Sequence, residues 1–252
     1  MRMSPVPLPR RALAEFTGTA ALVAVVVGSG IRADALSQDL GVRLIANAAA
    51  SALGLGLLIA LIGPLSGAHF NPVVTLSEWW TARSRGGARA AAVYVVAQLG
   101  GAVAGALFAE AMFGRMPGAD LATEQRAEPH LLLGEAVAAA GLVLVVRGLN
   151  RIGRPGLAPV AVAGYIGAAI WFTSSGSFAN PAATVGRSLT DSFTGIAPGS
   201  VPAFAAAQLL GMLLGMGLAG LLYGTGPGSG TGSGAEDSVP GEPKPADSRR
   251  TG

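Results

Sequence analysis

The chain of 252 residues is 51% hydrophobic and 12% charged, with a mean hydropathy of +0.53, too apolar and too sparsely charged for a soluble domain of this length, so it reads as a membrane protein. Its formal charge of +3 comes from arginines in short loops, with no basic face and no aromatic interleaving, which argues against a nucleic-acid partner. The lack of Cys excludes disulfides, thiol catalysis and thiolate metal sites, and two His residues leave little for a metal centre, so neither metal nor cofactor is expected.

Residues 1–11 are basic and precede an apolar run that meets no small-residue cleavage site before Gly30, so a retained first membrane helix is expected. Six segments reach the roughly 20 residues that a crossing needs, at about 12–31, 43–65, 88–113, 130–147, 156–174 and 201–223. After the second comes Gly67-Ala68-His69-Phe70-Asn71-Pro72-Val73-Val74-Thr75, and after the fifth its echo, Gly176-Ser177-Phe178-Ala179-Asn180-Pro181-Ala182-Ala183-Thr184. Asn is a good N-cap and Pro suits the first helical position, so each copy should open a short helix. Both are too short to cross and should be re-entrant, which is tolerated only where backbone lines a cavity or is buried in protein. From Gly224 the chain turns to Gly, Ser, Pro and charge, and residues 224–252 are expected to form a disordered, dispensable tail.

The echo extends beyond these stretches. Asn71 and Asn180 are 109 residues apart, Ala97-Gln98-Leu99 recurs as Ala207-Gln208-Leu209, Gly101 and Gly105 are matched by Gly211 and Gly215, and Glu15 is mirrored by Glu135. Two repeats, about 12–113 and 130–223, thus fill a domain spanning 12–223. Arg2, Arg10 and Arg11, then Arg83, Arg85 and Arg89, then Arg147, Arg151 and Arg154 mark one side, so the positive-inside rule places both termini in the cytoplasm of a multi-pass protein of the cell membrane. Three spans per repeat invert the second repeat relative to the first, so the two short helices enter from opposite faces and bring Asn71 and Asn180 together at the midplane. The glycine rows should serve close helix crossing.

Two helix N-termini meeting there repel cations, and the Asn amides offer donors to a neutral solute. Glu15 and Glu135 are expected to be buried, anchoring the Asn-Pro loops by accepting backbone N–H bonds. His69 is expected on the wall beside Asn71.

Ala14-Glu15-Phe16-Thr17-Gly18-Thr19, Ser66-Gly67-Ala68-His69-Phe70-Asn71-Pro72, Ala97-Gln98 with Gly101, and Asn180-Pro181-Ala182 together resemble the aquaporin and aquaglyceroporin family, the major intrinsic proteins. The resemblance implies an all-α membrane protein of six tilted helices and two half-helices in an inverted repeat, one pore per chain, a homotetramer, and small neutral solutes as its partners besides membrane lipid. It places the central constriction at Asn71, Pro72 and Val73 with Asn180, Pro181 and Ala182. It places the outer selectivity filter at Ser51, Ala168 (or Gly167, if the loop shifts the register), Ser177 and Ala183. Two departures matter: Val73 adds a larger side chain beside the constriction, and Ala183 stands where family members usually have Arg. A ring of Ser, Ala or Gly, Ser and Ala is wide, uncharged and weakly polar. Bacterial relatives with such a replacement pass arsenite as its neutral hydroxide, so polyols and metalloid hydroxides come ahead of water alone. Arg187 is expected to anchor a loop or meet lipid headgroups. A coupled transporter also fits inverted repeats but lacks midplane charges beyond the two glutamates. For an enzyme, Ser66 near His69 is the sole candidate pair.

Overall fold

A computed structural model describes residues 6–82, 87–118 and 120–224, and these form eight α-helices joined by loops and two short 3-10 turns. The helices are α1 (Leu8–Leu36), α2 (Leu40–Ser66), α3 (Pro72–Ala82), α4 (Gly87–Met112), α5 (Pro129–Arg151), α6 (Ala158–Phe172), α7 (Pro181–Arg187) and α8 (Val201–Tyr223). Six are long and apolar enough to cross a membrane, the fifth and sixth counted with the turns that precede them. The 11 residues of α3 and 7 of α7 are too few: at 1.5 Å per residue they reach about 16 and 10 Å. Arg2, Arg83, Arg85 and the tail beyond Gly224 lie outside the described residues.

Helix ends follow local chemistry more than hydropathy. α1 begins at Leu8, earlier than the apolar run, because Pro9 suits a first turn, where the N–H it lacks would have had no intrahelical acceptor. It runs on through the polar Arg32 and Asp34 to Leu36, and Arg43 of α2 pairs with Asp34 at 2.7 Å across the connection. Asp39 caps α2 by accepting from the Val42 N–H, and Gly67, at φ +96°, ends it in a left-handed conformation that a side chain would resist.

The two repeats pack alike. α1 lies along α4 and α5 along α8, while α2 meets α6 between the halves. Gly101 and Gly105 bring α4 against the backbone of Phe16 and Ala20, and Gly211 and Gly215 bring α8 against Ala136 and Ala140. A Cβ at any of the four would fall on a facing carbonyl. Gly105→Leu is therefore expected to cost about 1–3 kcal/mol by forcing α1 and α4 apart. Gly164→Ala, where a Cβ meets nothing within 4 Å, should be neutral. Thermal unfolding in detergent compares the two.

Large apolar side chains face outward, as in the α2 stripe Leu53, Leu57, Leu61 and Leu65, while Glu15, Glu135, Gln98 and Gln208 are fully buried. This inside-out arrangement suits a lipid surround, where backbone polar groups must be paired within the protein.

Candidate functional site

The two loops that lead into α3 and α7 adopt the same unusual backbone. Ala68 and Phe70 in the first, Ser177 and Ala179 in the second, all have φ near +49°, and in each loop the pair follows a glycine of positive φ. Such left-handed residues cost energy unless their surroundings hold them. Glu15 holds the first loop: it accepts from the N–H groups of His69 (3.0 Å) and Phe70 (2.7 Å), from Ser66 Oγ (2.6 Å) and from Gln98 Nε2 (2.8 Å). Glu135 holds the second through the N–H groups of Phe178 and Ala179, both 2.8 Å, and Gln208 Nε2 (2.6 Å). Gln98 and Gln208 each give a second bond, to Thr75 and Thr184 at the start of the half-helices. A buried carboxylate with this many donors is a framework element.

Asn71 and Asn180 tie the halves together. The Asn71 Nδ2 donates to the Ala179 carbonyl (2.7 Å) and the Asn180 Nδ2 to the Phe70 carbonyl (2.9 Å). Their Oδ1 atoms cap the half-helices, accepting from Val73 N in one and from Ala182 N and Ala183 N in the other. Each amide nitrogen carries two hydrogens and spends one on the partner loop, which leaves one for whatever stands in front.

In front of both lies a cavity of about 880 Å³. Its walls come from matching faces of the two repeats: Leu22 and Val26 of α1 correspond to Leu142 and Val146 of α5 at the same 120-residue step that relates Glu15 to Glu135. On α2 the face is Asn47, Ser51, Leu55 and Ile59, and on α6 Val162, Ile166 and Ile170, both at helical spacing. Each half-helix presents three positions, i, i+3 and i+7: Asn71, Val74 and Glu78 from α3, and Asn180, Ala183 and Arg187 from α7.

The sequence-expected residues divide accordingly. Asn71, Asn180, His69, Ser51, Ser177 and Ala183 line the cavity. The hydroxyls of Ser51 and Ser177 are buried and, among the described residues, have no hydrogen-bond partner. His69 sets its Nδ1 3.1 Å from Thr75 Oγ1 and its ring edge-on to Tyr94. Val73 does not stand beside the constriction: one position past the Pro, it points away from the Asn face into the core, fully buried with Leu142, Val143 and Ala179. Ala182 is fully buried too, and Pro72 and Pro181 do not line the cavity. Ala168 is a correction of register: it stands exposed, about 200° around α6 from Ile166 and Ile170, and Gly167 faces Ala52 of α2. Ser66 donates to Glu15, and His69 turns to Thr75, so the two are not paired with each other.

Among the cavity residues that the sequence did not single out are Ile170, Phe178, Arg126 and Glu78. Loops lack the periodicity that would single out Phe178 and Arg126. Glu78 was findable, because the 109-residue step that aligns the two Asn residues also aligns Glu78 with Arg187. Arg187 is buried at the end of α7, where its Nε donates to the Thr194 carbonyl at 2.5 Å, which ties it to the loop that follows. Its guanidinium lies 3.2 Å from the Phe178 ring centroid, and that of Arg126 5.5 Å from the same ring. Burial lowers the pKa of Arg126, with Glu124 foremost among the carboxylates that raise it back.

The model of the family described as major intrinsic protein matches residues 2–173. The aquaglyceroporin AqpS of Rhizobium meliloti is 47% identical over 194 residues, covering 77% of this chain and 82% of that protein. The probable aquaporin AqpM of Archaeoglobus fulgidus is 33% identical over 157 residues, 58% of this chain and 63% of that protein. The solved aquaglyceroporin of Plasmodium falciparum superposes with a TM-score of 0.65 at 21% identity, over 84% of this chain and 95% of its own.

Proposed function

The chain belongs to the major intrinsic protein family, and from that premise we propose that it is a passive channel for small uncharged solutes wider than water, glycerol-like polyols and metalloid hydroxides such as arsenite, with water beside them. The observation that carries this reading is the ring around Ala183. Ser51 and Ser177 line the cavity with small side chains whose buried hydroxyls have no hydrogen-bond partner among the described residues, and Ala183 adds a methyl where a fixed cation would narrow the passage. A hydroxyl both donates and accepts, which suits a solute that carries several hydroxyls of its own. Neutral polyols and the neutral hydroxide of arsenite share that chemistry. Farther in, the spare N–H of each Asn serves the solute's oxygen, while the converging half-helix N-termini oppose cations.

The family plan adds a homotetramer in the membrane with one pore per subunit; the arginine distribution puts both termini in the cytoplasm, and the Gly, Ser and Pro-rich composition beyond Gly224 makes that tail unnecessary for conduction. The experiment is stopped-flow swelling of proteoliposomes under a glycerol gradient. A channel gives flux proportional to the gradient and indifferent to proton or sodium gradients. Saturation at low solute with dependence on either ion would replace it with a coupled transporter.

A further inference from the structure

Resting on the channel reading above, we infer that Arg187 is a specificity-determining residue, which places the fixed positive charge of the pore one helical turn outside the filter ring instead of within it. Arg187 shares the cavity-facing side of α7 with Asn180 and Ala183, at the third of the three positions that this half-helix presents. Its equivalent on α3 is Glu78, so the two mouths of the cavity carry opposite charges at repeat-related sites.

The guanidinium is held in place. Its Nε is bonded to the Thr194 carbonyl and its plane rests on Phe178, so the group cannot swing down to close the ring beside Ala183. Only Nε finds a hydrogen-bond partner among the described residues. Arg187 itself lines the cavity. Guanidinium stays charged under all ordinary conditions. Arg126, on the same aromatic ring, adds a second positive charge to this mouth. Width and charge, which one Arg at position 183 would supply together, are thus divided: small side chains set the width, and Arg187 sets the potential on the approach to it.

Because the chain has no Cys, Ala183→Cys creates a single thiol at the ring. In the purified full-length protein in detergent, its rate of modification is measured with two reagents of similar size, the anionic sulfonatoethyl and the cationic trimethylammonioethyl methanethiosulfonate. Arg187 lies four residues on, about 6 Å along the helix. A unit charge at that distance in water changes each rate roughly threefold in opposite senses, so the anion-to-cation ratio should fall about tenfold when Arg187→Gln is added, at low salt. In 1 M salt the difference should shrink, since screening then acts over about 3 Å. Arg187→Lys, which keeps the charge and gives up the stacked plane, should keep the ratio near that of Arg187. A purely structural Arg187 would make the Lys and Gln variants alike and leave the ratio unmoved, and that result overturns the inference. Failure of both reagents to reach the introduced thiol overturns it as well, because Arg187 would then not stand on an open approach. The reagents read the potential whether or not glycerol permeates, so a failed swelling assay would sink the polyol reading and leave this one to its own test.

Discussion

Ala183→Arg should cut glycerol flux by about tenfold or more while water flux falls by no more than about threefold, a difference of at least about 0.7 kcal/mol in the rise of the two barriers. The side chain would project from the cavity-facing side of α7 between Asn180 and Arg187, into the space bounded by Ser51 and Ser177. It brings a planar group with five N–H donors, which narrows the ring and binds the oxygens of whatever passes. Water, with one oxygen, slips by more readily than a three-carbon polyol. The new charge faces the cavity and not lipid, so insertion and assembly should persist. Stopped-flow light scattering on matched liposomes, scored as the ratio of glycerol to water permeability, measures the effect. An unchanged ratio would mean that the ring is not where solutes are sized.

Glu135→Leu should have the larger consequence for the protein as a whole. Three donors, the N–H groups of Phe178 and Ala179 and the Gln208 amide, lose their acceptor in a site with no exposure to solvent. Each buried donor left unpaired costs about 1–3 kcal/mol, so the three together approach the stability of many folded domains. The left-handed residues Ser177 and Ala179 would lose the group that holds them. Loss of monodisperse protein in detergent chromatography, with loss of solute flux in whatever remains, is the expected result. Glu135→Gln, which keeps one acceptor oxygen and sets an amide N–H against a backbone N–H, should fall between. A Leu variant as heat-stable as the parent would show that the loop is held by packing alone.

Much of this was legible in the chain because the repeat supplied long-range information that local patterns lack. One Asn-Pro is a helix start; two at a 109-residue step, within six apolar spans, determine which helices are interrupted and that they enter from opposite faces. The lone glutamates in apolar runs pointed to a buried acceptor in each half, and the structure surrounds both with donors. Residues whose orientation depends on exact register were harder. Val73 follows Pro72 immediately and sits on the core side of a helix whose cavity face repeats at i, i+3 and i+7. The placement of the filter at position 168 depends on the length of a loop of no fixed geometry, and an error of two residues turns a helical side chain through about 200°. Arg126 comes from a loop far away in sequence and reaches the cavity through its Nε bond to the Gly195 carbonyl, which no composition could reveal. Arg187 was read as an anchor, and its bond to Thr194 fits that, yet its place on the cavity wall emerges only when the α7 face is laid out beside that of α3.

The central claim is that the ring of Ser51, Ser177 and Ala183 admits solutes broader than water. Its most direct test is a size series on the unaltered protein: swelling of proteoliposomes under equal gradients of glycerol, erythritol and xylitol, beside osmotic water flux and protein-free liposomes. A wide, weakly polar ring predicts clear glycerol entry above the protein-free rate, with flux falling as the polyol lengthens. Fast water flux with glycerol held at the protein-free rate would contradict it.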